Sequence, residues 1–256
     1  YFEPFRSFYR ESAKPHPGQK EILVCTNYVL SKFHEMPKKE ADKLLGDWAK
    51  SISALKDYHN TCAVNYRNRG RLFSYIEPLL ADGRFHVTLR PHPSEDSSFY
   101  VREIEKLSYE LRKNLTFHPE GNIAALICGC DLEISMDSCT TAKESWIAGK
   151  PTIELPMEAD PAITRRFENL NVDCTSPDQI VRLVEENLKT IDSGTEALRQ
   201  EHLAYWYGSP DGKAGQRAAQ ALQALLLSRS EPDRWNHLTF AERRKGMKLR
   251  FLRALG

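Results

Sequence analysis

The chain has 256 residues, 41% of them hydrophobic, with 36 basic and 35 acidic side chains and a formal net charge of +1. That length accommodates one sizeable core with flanking segments, and the near-neutral balance excludes an overall electrostatic pull toward nucleic acid. No run reaches the roughly 18 uninterrupted apolar residues of a membrane span, no secretory hydrophobic region is visible, and the six cysteines follow neither a zinc-ribbon nor a CxxC spacing, as expected of reduced structural thiols in a cytosolic protein.

Residues 1–20 carry Tyr1, Phe2, Phe5, Phe8 and Tyr9 and close in Lys14-Pro15-His16-Pro17-Gly18, which bars a continuous helix there. They read as an entry segment packed onto this core or onto a further domain. The apolar run Glu21–Cys25 predicts a first parallel strand, followed by the polar loop Thr26-Asn27. Residues 38–80 have helical periodicity, with Leu44, Leu45, Trp48 and Ile52 on one face and later Leu72, Phe73, Ile76, Leu79 and Leu80. Asp82-Gly83 stops that helix before a strand, Phe85–Leu89, that delivers Arg90 to a loop.

A helix over about 97–113, a short strand Leu115–Phe117 and a helix from Asn122 with Ile123, Leu126 and Ile127 inward come next. The strand Asp131–Met136, a helix from about Thr141 to Ala148 and the strand Pro151–Leu155 follow. Ser176 stands as N-cap of a helix over Pro177–Leu188. Tyr207–Arg217 is a turn into a last helix with Ala218, Ala219, Leu222 and Leu225 inward. Strands and helices alternating at this pace predict an α/β fold: a Rossmann-like parallel sheet over residues 21–228 with helices on both faces and right-handed crossovers.

Two runs stand out, Leu89-Arg90-Pro91-His92-Pro93-Ser94-Glu95 and Asp137-Ser138-Cys139-Thr140-Thr141-Ala142-Lys143-Glu144. Each follows a predicted strand, at the carboxyl edge where open α/β sheets bind ligands. Arg90 offers a forked cationic donor and His92 a directional one, both suited to an anion, while Pro91 and Pro93 restrict the backbone around the imidazole. The bland alternative is a rigid turn whose His92 caps a neighbouring element. In the second run Ser138, Thr140 and Thr141 bring hydroxyls and main-chain N–H groups to a helix start, where the macrodipole favours a phosphate. No Gly-rich lysine loop accompanies it, so the site is not of the Walker type. Thr141-Ala-Lys-Glu144 fits a capping box; alternatively Glu144 accepts hydrogen bonds from ribose hydroxyls. Thr26 and Asn27 join the same edge if the strands are neighbours.

His86 and His118 are expected in surface or packing roles, Asp211 at most in a contact across a cleft, and Cys128-Gly-Cys130 as a structural connection rather than a redox pair. Residues 229–256 read as a basic amphipathic helix. Between Glu242 and Gly256 six basic residues stand against one acid, with Met247, Phe251 and Leu255 on a stripe. Such a helix lies on an anionic membrane surface or packs on a neighbouring domain with its charges solvated.

The order of these motifs over roughly residues 1–225 resembles bacterial surface carbohydrate biosynthesis proteins, glycosyltransferases of the GT-B type, similar in their nucleotide half to capsule β-Kdo transferases, polysialyltransferases and teichoic acid glycerophosphotransferases. What carries it is a strand ending in Thr26-Asn27, Arg90 to Glu95, the Cys-Asp-Leu-Glu-Ile-Ser strand, the Ser138 to Ser145 helix start, Gly149-Lys150-Pro151 and a late Asp-Gly helix. The resemblance implies a carboxy-terminal Rossmann-like half that holds a nucleotide-sugar donor, often a cytidine one such as CMP-Kdo, with a CDP-glycerol or UDP-sugar donor as the alternative. It implies His92 as stabiliser of the leaving-group phosphate, and Thr26, Asn27, Arg90, Pro93, Ser138, Cys139, Thr140, Thr141 and Glu144 around the donor. No metal or other cofactor is expected, and the acceptor is a glycan or lipid-linked glycan at the inner face of the cytoplasmic membrane. Only one Rossmann-like unit is present where the GT-B type has two, so an amino-terminal acceptor domain and the catalytic base are expected outside these residues. From another class, a non-catalytic nucleotide-binding or scaffold module fits the same features.

Overall fold

The computed structural model describes residues 6–12, 16–52, 55–136, 139–158, 169–209 and 211–228. By their contacts the residues fall into two compact units, Tyr1–Pro210 and Asp211–Gly256. In the first, helix α1 (Arg6–Ser12) precedes strand β1 (Lys20–Cys25), then come α2 (Ser31–Glu35), α3 (Lys38–Ser51), α4 (Tyr58–Asp82), β2 (Phe85–Arg90), α5 (Ser97–Lys106), α6 (Tyr109–Arg112), β3 (Leu115–Phe117) and α7 (Ile123–Gly129). The second half supplies β4 (Leu132–Met136), α8 (Thr140–Ile147), β5 (Thr152–Leu155), β6 (Val172–Asp173), α9 (Ile180–Lys189) and α10 (Ser193–Tyr207). The described part of the second unit is a turn and α11 (Ala214–Ser228). Among the described residues no helix is long and apolar enough to cross a membrane.

All described strands pair in parallel in one six-stranded sheet, in the order β3-β2-β1-β4-β5-β6. The expected α/β class is therefore present, in the strand order of dinucleotide-binding sheets, whose switch point lies between β1 and β4. The two faces differ in chemistry because alternate residues of each strand point to opposite sides. Ile22 and Val24, Val87 and Leu89, Leu132 and Ile134, and Ile153 and Leu155 form one apolar face, covered by Leu72, Ile76 and Leu79 of α4 and by Ile180 and Val184 of α9. Each such buried aliphatic side chain contributes about 1.5–3 kcal/mol relative to exposure. The opposite face carries Glu21, His86, Arg90, Glu133, Ser135, Thr152 and Glu154, all buried, beneath α7, α8 and α10. Its apolar content is smaller: Leu23 and Cys25 meet Ala124 and Ile127, and Trp146 meets Leu203.

Buried polar groups on that second face need partners. Arg199 of α10 donates through Nε to the Leu170 carbonyl (2.6 Å) and through Nη2 to Thr152 Oγ1 (2.8 Å), and Trp146 Nε1 donates to Thr152 Oγ1 (2.8 Å). Asn171 Nδ2 donates to Glu154 Oε2 at 2.7 Å. These bonds fasten α8 and α10 to β5.

Several local expectations change. Of the Leu44, Leu45, Trp48 and Ile52 face only Leu45 is buried; Leu44, Trp48 and Ile52 are exposed, and α3 instead seats Leu45 beside Tyr58 and Cys62. The helix expected over 97–113 breaks at Leu107, because the Ser108 side chain accepts from Leu111 N–H and caps a separate turn. Ser176 makes no side-chain cap, and Pro177–Gln179 is a 3-10 turn before α9. The two-residue strand β6 was not expected, being too short for a periodic signal. Gly83 ends α4 in the left-handed region at φ 74°, as Asp82-Gly83 predicts.

Candidate functional site

The loops that leave β2, β1, β4 and β5 share the carboxyl edge of neighbouring parallel strands, spanning the switch point. The first two are joined directly. Glu95, which follows the His-Pro pair, accepts from Thr26 Oγ1 at 2.7 Å and from the His92 main-chain N–H at 3.1 Å. The Tyr100 hydroxyl of α5 also bonds the Glu95 carboxylate and lies 3.0 Å from Thr26 Oγ1. Burial and the adjacent Glu95 hold the Tyr100 phenol well above its ordinary pKa, so it stays a protonated donor. A carboxylate with three such partners fixes the β2 loop against the end of β1.

His92 is half-buried within this frame. Its Nδ1 lies 3.1 Å from the Ser94 main-chain N–H. An N–H can only donate, so Nδ1 is the acceptor and a neutral imidazole carries its proton on Nε2. The Pro-flanked turn thus sets both the ring's place and its tautomer, leaving Nε2–H as the outward donor.

Arg90 lies elsewhere than expected. Its guanidinium donates to the carbonyls of His118 (3.0 Å) and Gly121 (3.2 Å), in the connection after β3, and the residue is 8% exposed. The side chain belongs to the polar face of the sheet, because Arg90 alternates with Leu89 and the apolar face takes Leu89. It braces the loop behind the site. Thr26, 1% exposed, is likewise committed to Glu95, whereas Asn27 beside it is partly exposed.

At the end of β4, Asp137 and Ser138 lie outside the described residues, so the placement of Ser138 is not part of the site described. Cys139 is the N-cap of α8 and contributes no side-chain cap; Thr141 Oγ1 lies 3.2 Å from Cys139 Sγ. The helix begins at Thr140, two residues before the box Thr141-Ala-Lys-Glu144 requires, so the capping box does not form. Two consequences follow. The main-chain N–H groups of Thr140 and Thr141 are first-turn donors of α8 without a helical acceptor, and Thr140 is exposed. Glu144 Oε2 is buried with no hydrogen-bond partner, and burial raises its carboxyl pKa.

Beneath α8 sits Glu133 of β4, 0% exposed, with neither carboxyl oxygen in a hydrogen bond of normal geometry. Burial pushes its pKa up to about 7, opposed by the facing side chains of Ser145, Thr141 and Cys25 and reinforced by Glu144. Cys25, at the end of β1, has its thiol pKa raised by burial and by Glu133 and Cys139 close by. The end of β1 and the start of α8 therefore adjoin. All six cysteines are free and buried.

Sequence reasoning missed the last wall, the loop after β5. Met157 there has φ 43°, an unusual backbone for a side chain of its size. Tyr28 Oη approaches Met157 Sδ at 3.3 Å, and Asn68 of α4 pairs twice with the Glu158 main chain, at 2.8 and 3.1 Å. Glu95 and Tyr100 were also missed as positioning residues. The signal available for Glu95 was its place three residues after His92. Residues 242–256, the expected basic helix, lie outside the described residues.

The strand order and this edge define a doubly wound α/β unit with a candidate anion-binding crevice at its switch point. No protein-family model matches the sequence, and no curated protein matches it. Among solved structures it is similar to the calicheamicin glycosyltransferase CalG4, at 18% identity and TM-score 0.46, over 85% of this chain and 44% of that one. It is also similar to the E. coli ADP-heptose LPS heptosyltransferase II (10% identity, TM-score 0.45, 73% of this chain and 52% of that one). A third is the wall teichoic acid polymerase TagF (14%, 0.45, 88% and 47%). The chain thus spans about half the length of these proteins.

Proposed function

We propose that this chain is the donor-binding half of a glycosyltransferase that takes a sugar from a nucleotide-activated donor, CMP-linked as the motif order implies, and passes it to a bacterial surface glycan. The observation that carries the proposal is the arrangement at the switch point. The Ser94 N–H sets the His92 ring in the Nε2–H tautomer and Glu95 holds its main chain, in the loop after β2; β1 alone separates β2 from β4, the strand that leads into the first turn of α8. As the bond between sugar and phosphate breaks, the leaving nucleotide gains negative charge. Donors already oriented by the fold lower the barrier without reorganising at that moment. His92 Nε2–H and the N–H groups of Thr140 and Thr141 fill that role, with Thr140 Oγ1 and Asn27 on the same crevice. Glu144, a buried acceptor without a donor, takes the ribose hydroxyls. Thr26, Arg90 and Glu95 act behind these groups as braces. The base that activates the acceptor belongs to a further domain.

Calorimetric titration of the chain with CMP, CDP, UDP and ADP tests this. Selective binding of cytidine nucleotides is expected. A hydrogen bond to a charged group is worth about 1.5–3 kcal/mol, so His92→Ala should weaken binding by about tenfold or more. Binding of none of the four would overturn the assignment; preference for CDP or UDP would keep the site and change the donor.

A further inference from the structure

At the other end of the strands, away from these loops, a second group of residues is brought together by the sheet register. Glu21 of β1 stands opposite His86 of β2. His86 is 2% exposed; its Nε2 lies 2.8 Å from Thr116 Oγ1 on β3, and its Nδ1 is buried with no hydrogen bond. The ring of His16, from the segment leading into β1, lies over that of His86 with centroids 3.4 Å apart and planes 18° apart. Glu21 Oε1 accepts from the His16 main-chain N–H and lies 2.9 Å from His16 Nδ1. One ligand-type atom from each of His16, Glu21 and His86 comes within 4.8 Å of the other two.

A buried ring nitrogen without a partner has lost its solvation with nothing in exchange. Here it belongs to a ring whose other nitrogen is paired with Thr116 Oγ1; when Nε2–H donates to that hydroxyl, the outer hydrogen bond usual for metal-binding histidines, Nδ1 carries the lone pair. Two imidazoles and one carboxylate are the three protein ligands of a four-coordinate zinc-type centre whose fourth ligand is water. We propose that His16, Glu21 and His86 bind a divalent transition-metal cation of the zinc class. The cation replaces the contact between Glu21 and His16 Nδ1, and His16, the exposed member, turns its ring toward it. It ties the segment before β1 to the first two strands, with no part in the chemistry at the opposite edge.

The test uses the full chain, stripped with a chelator, titrated with Zn²⁺ by calorimetry and with Co²⁺ by visible absorption. One equivalent should bind with a rise in melting temperature, and the cobalt spectrum should lack the thiolate charge-transfer band that the buried cysteines would give. His16→Ala, at an exposed position, should lower affinity by about tenfold or more. Thr116→Val should lower it by about tenfold through the outer hydrogen bond. Absence of stoichiometric binding, a thiolate band, or equal affinity in His16→Ala would overturn the proposal. His86→Ala adds a measurement if it folds, and His16→Ala decides if it does not.

Discussion

Replacing Glu133 by glutamine should stabilise the protein at neutral pH and do nothing in acid. Glu133 is wholly buried in the central part of the sheet, and its folded-state pKa is raised from 4.5 to about 7. Below about pH 4 both folded and unfolded chains hold the proton and the group is neutral to stability. Between 4.5 and 7 the unfolded chain has released it while the folded chain still binds it, so the unfolded state binds fewer protons and stability falls as pH rises. Above 7 the penalty is constant. At 1.36 kcal/mol per pKa unit, the shift amounts to about 3 kcal/mol. Glutamine keeps the shape without the charge. Urea denaturation of both proteins from pH 4 to pH 8.5 should give a stability difference that starts near zero, grows in favour of Glu133→Gln through pH 5 to 7, and levels off at about 3 kcal/mol. Taking the difference between the two proteins removes every other titrating group. A flat difference, or one that favours the native glutamate at high pH, would refute the buried, weakly paired carboxyl on which the calculation rests.

Glu95→Gln should cost about 1–3 kcal/mol in urea denaturation, because the amide cannot accept from Thr26, His92 and Tyr100 together. Its nucleotide affinity should fall although Glu95 touches no nucleotide in the proposed site; unchanged stability would dismiss the lock. Gly121→Ala should cost about 1–3 kcal/mol, since Gly121 has φ +100° and a Cβ there would meet His118 Cε1 at 2.7 Å, in the loop whose carbonyls hold Arg90. Gly46→Ala in α3, where nothing stands within 4 Å, should instead stabilise by about 0.4–1 kcal/mol, measured as a rise in melting temperature.

The strands β1, β2, β4 and β5 were legible because each is a short segment with apolar residues in a run, as in β1, or at alternate positions, bounded by polar turns. The inward face of α4 was legible from its period, whereas the same pattern in α3 misled: Leu44, Trp48 and Ile52 repeat at helical spacing yet remain exposed. Periodicity reports that a face is apolar, not that anything covers it. At the site, position along the chain placed His92 and the start of α8 correctly at the carboxyl edge. It could not say which way Arg90 points, since that depends on which face of β2 each residue takes. The capping box failed by two residues, within the ordinary spread of a helix start. Glu133 was invisible as a titrating group because a glutamate inside an apolar run gives no sign of what faces it.

The order of the strands also bears on how the chain reaches this state. β1 lies at the middle of the sheet, yet Ile22 pairs with Val87 on one side and with Leu132 on the other, so both neighbours arrive long after it. Contacts so distant in sequence carry a large loop-closure entropy and slow folding. Until α4 and β2 have formed, Ile22-Leu23-Val24-Cys25 is an unsatisfied apolar edge open on both sides, the type of segment that seeds association between chains. Lys20 and Glu21 are the only charges beside it. The strand that anchors the finished sheet is thus the one most exposed to misassembly while the chain is being made.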